Sequence, residues 1–323
     1  MTFSSKNFVS FIIPHKGRFE MLKQTLESIV GLDYPRNKFE IIVVSQTPET
    51  QTEILINEPD VSLKVLIQTA SQSISASRNI GVKAASGDFL AFLDADIALS
   101  ANWVVEMHKH LSKENRIIVS AMQVCDTEAP ALEKIRTHLS NAELDCNLNF
   151  LPGRNLFMTR NAFEKIGGFP EHLITCEDYY FTDKAAKLGD LYYTSDASYI
   201  HIGEDKVYTD MFKKEIWRGQ SNLQSIKGRK IPLREIPSFI IPIAIFTCLI
   251  LSLFSVLFLS ISAALIFLIL GMLPVVAYSM RLYSMAKNSV SFGSVLTFYT
   301  YYFPARAIGT VAGLFKAIGA NHK

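Results

Sequence analysis

Apolar positions follow two different patterns along this chain. Up to about residue 96 they form short continuous runs, at 8–13, 39–44, 63–67 and 89–93, with Pro14 closing the first. None has a helical period, and each is too continuous for a strand with one wet face, so they predict strands covered on both sides. Between them, residues 18–30 carry Phe19, Leu22, Leu26, Ile29 and Val30 at helical spacing, ended by Gly31 and Pro35. A short polar helix is expected near 49–57, and another helix with small residues at Ala76, Ala84 and Ala85 over 74–85. The β-α-β-α-β-α-β alternation predicts an α/β domain with a mostly parallel sheet flanked by helices. A further strand is expected at 197–202.

Farther on the pattern changes. Residues 236–280 contain no Asp, Glu, Lys, Arg or His, and at ~20 residues per crossing such a run suffices for a transmembrane helical hairpin, turning near 260–262. A third apolar segment, 290–318, is interrupted by Pro304, Arg306 and Lys316. Its aromatic stretch at 298–303 suits a lipid interface, and Gly309, Gly313 and Ala317 permit close helix packing. Spanning and lying along the bilayer surface are both open for it, and the surface placement is favoured because crossing would leave the basic C-terminus outside. These features divide the chain into a domain at 1–225 and a membrane region at 226–323.

Composition narrows the setting. The 323 residues include 32 Lys plus Arg and 30 Asp plus Glu, a balance that gives no case for nucleic-acid binding. Cys125, Cys146, Cys176 and Cys248 show no paired spacing and fit a reducing compartment. The apolar run at 9–13 is too short for a signal-peptide core. Lys227, Arg229, Lys230 and Arg234 precede the hairpin, and Arg281 and Lys287 follow it. Positive charge on both sides implies two cytoplasmic ends, hence a multi-pass cytoplasmic-membrane protein whose soluble part faces the cytoplasm.

The chemistry gathers at predicted strand ends. Pro14-His15-Lys16, Ser45-Gln46-Thr47 and Asp94-Ala95-Asp96 all fall where ligands bind in open α/β sheets. Asp94 and Asp96, one residue apart on an extended chain, would project to the same side and repel unless a cation lies between them. Hard oxygen ligands favour Mg²⁺ or Mn²⁺ shared with phosphates. No GxGxxG or P-loop is present, which disfavours dehydrogenase and NTPase readings.

Two ordered blocks carry a family resemblance. Ser77-Arg78-Asn79-Ile80-Gly81 followed by Ala84-Ala85-Ser86-Gly87-Asp88 and Phe89 to Asp96 resembles the central signature of family 2 glycosyltransferases of GT-A fold. Gly153-Arg154-Asn155 with Leu156 to Arg160, then Ile166 to Pro170, Glu177-Asp178 and Lys187-Leu188-Gly189, resembles the acceptor-side half of that family. The resemblance implies an inverting, hexosyltransferase-type enzyme using a nucleotide-diphospho-sugar and a divalent metal. Asp96 would hold the metal; Asp94 would contact the ribose or the metal shell. Arg78 would assist on the phosphates, or else be a solvated helix residue or a partner of Asp88. Asp178 would be the catalytic base, with Glu177 orienting it or binding acceptor. Both acids would also favour the start of a helix at 179–188. Gly153, Arg154 and Asn155 belong to the acceptor side. His201 is the candidate third metal ligand or a structural histidine.

The match is incomplete in places. Ser45-Gln46 stands where the family has an acidic residue, and Gln46 retains donors and acceptors for a base. Pro14 and His15 open a Pro-His-Lys-Gly-Arg sequence unlike the usual Pro-x-Tyr/Phe-Asn-Arg; His15 lines the nucleotide cleft or faces solvent. The stretch 213–219 partly resembles a Q/R-x-x-R-W element, but Trp217 precedes Arg218, so processivity is not implied. Arg218 would reach phosphate, or the segment would be interfacial with Trp217 at the headgroups. A membrane anchor beside such a domain points to a lipid-linked or polysaccharide acceptor. The alternatives are a polyprenyl-phosphate acceptor and a non-catalytic membrane subunit.

Overall fold

The computed structural model describes residues 7–48, 60–69, 71–173, 175–220, 233, 236–258, 260–286 and 289–320. The helix expected at 49–57 and the basic residues Lys227, Arg229, Lys230, Arg234 and Lys287 lie outside them. The chain forms two compact units: residues 1–124 with 143–203, and residues 125–142 with 204–323.

The first unit holds a nine-stranded sheet. The strands are β1 (Val9–His15), β2 (Phe39–Ser45), β3 (Ser62–Ile67), β4 (Phe89–Leu93), β5 (Ile97–Leu99), β6 (Arg116–Val124), β7 (Cys146–Leu148), β8 (Asn155–Thr159) and β9 (Asp190–His201). Their order is β3-β2-β1-β4-β8-β6-β9-β5, with β7 on β9. The four strands expected from the apolar runs pair in parallel with one another, β8 pairs antiparallel with β4, and β6 and β9 form a second parallel pair. Helices α1 (Phe19–Val30), α2 (Ile74–Ala84), α3 (Trp103–Leu111), α5 (Arg160–Ile166) and α6 (Glu177–Ala185) belong to this unit.

Period-two side chains explain why the runs are continuous. Phe11, Ile13, Ala91 and Leu93 enter one core with Leu22, Leu26 and Trp103. Their neighbours Ile12, Leu90 and Phe92 enter another with Val82, Phe163 and Phe181. Both sheet faces are therefore buried. Gly81 lets α2 approach β1, because a Cβ there would collide with Ile12.

The register brings several chain ends to one place. Leu93, the last residue of β4, lies opposite Asn155, the first of β8. The Asp94 amide donates to the Arg154 carbonyl at 3.0 Å, and the Ile202 amide to the Asp96 carbonyl at 2.8 Å. His201 pairs with Ile97. Between β4 and β5 the chain turns at Ala95–Asp96, so the extended geometry expected for Asp94 and Asp96 gives way to a turn that lets the two carboxylates take different partners.

The second unit is helical: α4 (Ala131–Ser140), α7 (Tyr208–Gly219), α8 (Ile236–Phe258), α9 (Ile261–Ala286) and α10 (Phe292–Ala320). Helices α8 and α9 are long and apolar enough to cross a membrane, with mean hydropathy 2.7 and 2.4. Their exposed side chains include Ile250, Leu253, Phe254, Leu257, Leu265, Ile269 and Leu273. Helix α8 ends at Phe258 and α9 begins at Ile261, next to the expected turn. Pro304, expected to break the third segment, sits inside a continuous α10; a proline is tolerated when neighbouring groups accommodate the lost backbone bond. Gly219, Gly309 and Gly313 remove side chains where α7 and α10 backbones touch. A buried ionic cluster completes this unit. Arg136 contacts Glu204, Asp205 and Glu215 at 3.4, 3.4 and 3.1 Å, and Glu215 also meets Arg306 at 3.5 Å.

Candidate active site

Arg78 organises the first unit's polar residues. It sits on α2, 1% exposed, where Ser73 caps the helix by accepting from the Ala76 amide. One of its amino groups, Nη2, donates to Asp94 Oδ1 at 2.9 Å and to the Gly153 carbonyl at 3.2 Å. The other, Nη1, donates to Glu177 Oε1 at 2.9 Å. The Phe169 ring lies 5.0 Å from the guanidinium. A guanidinium without water is stable only among such partners.

Gly153 extends the ring of contacts to Asp178, whose Oδ2 accepts its amide at 3.1 Å while Oδ1 accepts the Tyr179 amide at 2.8 Å. A Cβ at Gly153 would lie 3.0 Å from the Asp178 Cβ and 3.1 Å from Arg78 Nη2. Glu177 and Asp178 are in the first turn of α6, after Cys176 in a left-handed conformation. The helix thus begins two residues before the expected position, and both acids sit at its positive end. Burial and the neighbouring Asp178 charge raise the Glu177 pKa, against the pull of Arg78.

Asp96 is 6% exposed. Its Oδ2 meets Arg18 Nη1 at 3.1 Å and its Oδ1 lies 3.5 Å from His201 Nε2. Arg154 Nη1 contacts His201 Nδ1 at 3.3 Å and Gln123 Oε1 at 3.0 Å. Burial favours the neutral acid, yet His201, Arg18 and Arg154 together hold the Asp96 carboxyl below its usual range. Asp96 and His201 offer oxygen and nitrogen donors of the kind Mg²⁺ or Mn²⁺ takes, whereas Asp94 is turned to Arg78, and the ligand atoms of Asp94, Asp96 and His201 do not all lie within 4.8 Å of one another. Gly203 lacks the Cβ that would overlap Asp96 Oδ2.

The remaining residues separate by role. His15, 4% exposed, directs Nδ1 to Ser45 Oγ at 3.0 Å and leaves Nε2 buried without a hydrogen bond; burial lowers its pKa. Pro14 is buried in β1 opposite Val44. Gln46 donates to the Gln72 carbonyl at 2.8 Å on an exposed loop. The Asn155 amide is engaged inside the fold, by Trp103 Nε1 at 3.3 Å and by Ala121 at 2.9 and 3.1 Å. Arg218, in the second unit, contacts Glu215 and lies 3.8 Å from Asp205. Sequence reasoning gave no role to Arg18, Gln123 or Gly203. Elsewhere in the first unit, Glu106, His110 and Asp196 could also hold an ion, but the Lys109 ammonium already lies 2.6 Å from Glu106 and 3.3 Å from Asp196.

A mixed sheet whose parallel strands β3-β2-β1-β4 continue through antiparallel β8, with acidic residues at the exit of β4 and at the start of α6, has the architecture of the GT-A glycosyltransferase fold. Residues 10–167 match the model of Glycosyl transferase family 2. The chain is 27% identical over 241 residues to glycosyltransferase AglE of Haloferax volcanii, covering 72% of this chain and 79% of that one. The fold is similar to that of the mannosyltransferase PcManGT of Pyrobaculum calidifontis, solved with GDP-Man and Mn²⁺, at 18% identity and TM-score 0.68 over 94% of this chain and 86% of that one. TarS of S. aureus gives a TM-score of 0.52 at 18% identity, over 93% and 90% of the two chains.

Proposed function

We propose that this chain is a membrane-anchored, inverting glycosyltransferase. It moves a sugar from a nucleotide-diphospho-sugar to a lipid-linked or polysaccharide acceptor, with a divalent metal held by Asp96 and His201 and with Asp94 in the metal's shell or on the ribose. The observation that carries the reading is the link from Asp94 through Arg78 to Glu177 and, through Gly153, to Asp178. It ties a donor-side carboxylate to an acceptor-side base in one rigid unit, as a displacement with both partners in line requires.

Asp178 takes the proton of the acceptor hydroxyl while the nucleoside diphosphate departs from the opposite face. Backbone donors on both of its oxygens fix the carboxylate's aim. A divalent ion at Asp96, when bound, would neutralise charge developing on the departing diphosphate. PcManGT, solved with GDP-Man and Mn²⁺, supports a nucleotide-sugar donor and a metal. The exposed apolar faces of α8 and α9 support the anchor and a membrane-delivered acceptor, and the free cysteines support a catalytic unit facing the cytoplasm.

A panel of sugar nucleotides with Mn²⁺, read by thermal shift on the solubilised chain, tests the donor assignment. A ligand at 100 times its Kd adds about 2.7 kcal/mol, or some 5 °C for a protein this large. No shift with any donor would remove the proposal.

A further inference from the structure

Arg18 breaks three local rules at once. It occupies the N-cap of α1, where side-chain acceptors are favoured, and makes no cap hydrogen bond. It puts a positive charge at the positive end of a helix. Its backbone is left-handed, φ 52° and ψ 50°, a conformation disfavoured for arginine and here following Gly17 at φ 62°. Such conflicts persist where function requires them. The side chain is 59% exposed, yet its Nη1 reaches the 9%-exposed carboxylate of Asp96 at 3.1 Å. Gly203 keeps that contact clear: a Cβ there would overlap Asp96 Oδ2 and stand 3.0 Å from Arg18 Nη1.

We propose that Arg18 is an exchangeable counter-cation of the donor site: it neutralises Asp96 while no divalent ion is bound, yields the carboxylate to the ion, and then binds the donor's diphosphate. This rests on the reading that Asp96 holds the metal. The buried carboxylate needs a positive partner in either state. The arginine, largely in water, gives up little when it leaves. Once an ion takes Asp96, the guanidinium is left beside that ion, within reach of the phosphate oxygens the ion binds. A diphosphate there would also relieve the charge conflict at the start of α1.

The signature is a pair of effects of opposite sign, which a purely structural role would not give. Free Mn²⁺ is followed by electron paramagnetic resonance with the full solubilised chain and its Arg18→Gln, Arg18→Lys and Asp96→Asn variants, each checked for wild-type melting. Without nucleotide, Arg18→Gln is expected to bind Mn²⁺ about two- to fivefold more tightly than wild type, the competing half-exposed pair being gone. Arg18→Lys should stay near wild type. With Mn²⁺ saturating, UDP and GDP are then titrated, and the one that binds wild type should bind Arg18→Gln at least about tenfold more weakly. If Asp96→Asn binds Mn²⁺ like wild type, the metal assignment itself fails. If Asp96→Asn loses Mn²⁺ but Arg18→Gln binds it no more tightly than wild type, the metal assignment stands and the counter-cation role is overturned. Unchanged nucleotide binding in Arg18→Gln overturns the diphosphate step.

Discussion

Replacing Arg78 with Met tests whether one buried guanidinium holds the two halves of the site together. Methionine keeps most of the side-chain volume against Phe169 and removes the charge. Truncating one partner of a buried ion pair costs about 3–5 kcal/mol. Asp94, 31% exposed, can recruit water, whereas Glu177, 12% exposed, cannot. The expected loss is therefore near the lower bound, about 3 kcal/mol, or roughly 6–12 °C in melting temperature for a unit of this size. The pH dependence has a definite sign. Burial and Asp178 already raise the Glu177 pKa in the fold, so its contribution to stability is full below its unfolded value and is lost as pH rises through the folded one. Without Arg78 that folded value climbs further. The deficit of Arg78→Met should thus be smaller at pH 5 than at pH 8 in thermal melts of the solubilised protein. A variant that melts within about 2 °C of wild type, or shows the same deficit at both pH values, would refute the reasoning.

Three further outcomes follow from the same geometry. Asp178→Asn should lower transfer by about 10²–10⁴-fold with donor affinity kept; because an ionised phosphate acceptor needs no strong base, a rate within a few-fold of wild type would point to that acceptor class. Gly153→Ala forces Asp178 and Arg78 apart by tenths of an ångström and should cost about 1–3 kcal/mol and up to about 100-fold in turnover; a fully active variant would dissolve the proposed coupling. Glu40 in β2 is disfavoured as an ion by burial, but Lys64, Ser86 and Ser10 outweigh this and hold its pKa at about 2. A carboxyl lowered from 4.5 to about 2 contributes about 3 kcal/mol at neutral pH. Glu40→Gln should therefore melt well below wild type at pH 7, with the gap narrowing once pH falls below 4.5.

What the sequence revealed depended on range. The continuous runs ending at Pro14, Val44, Ile67 and Leu93 located the parallel strands because burial on both faces leaves an unambiguous pattern. Glu177-Asp178 and Asp94-Ala95-Asp96 stood out through family motifs. Contacts between distant residues left no such trace: Arg78 meets Glu177 across 99 positions, so neither that pairing nor its link to Gly153 was readable locally. The turn at Ala95–Asp96 was missed because Asp94 directly continues an extended run. Arg18 was legible only as a residue after Gly17; its reach to Asp96 comes from the left-handed backbone. Residues 125–142 group with the C-terminal helices because Leu132 and Ile135 share a core with Val275, Leu282 and Phe298, a partnership no local period announces. Asn155, expected on the acceptor side, is also the polar pin between Trp103 and Ala121.

Transfer itself is the most direct test. Membranes containing wild type or Asp96→Ala are incubated with radiolabelled sugar nucleotides and Mn²⁺, and label is followed into lipid extract and polymer. With at least one donor, wild type should transfer label in proportion to enzyme, while Asp96→Ala falls by about 10³-fold or more. If the two behave alike with every donor and metal, the account of this site as a metal-assisted glycosyl donor site is contradicted.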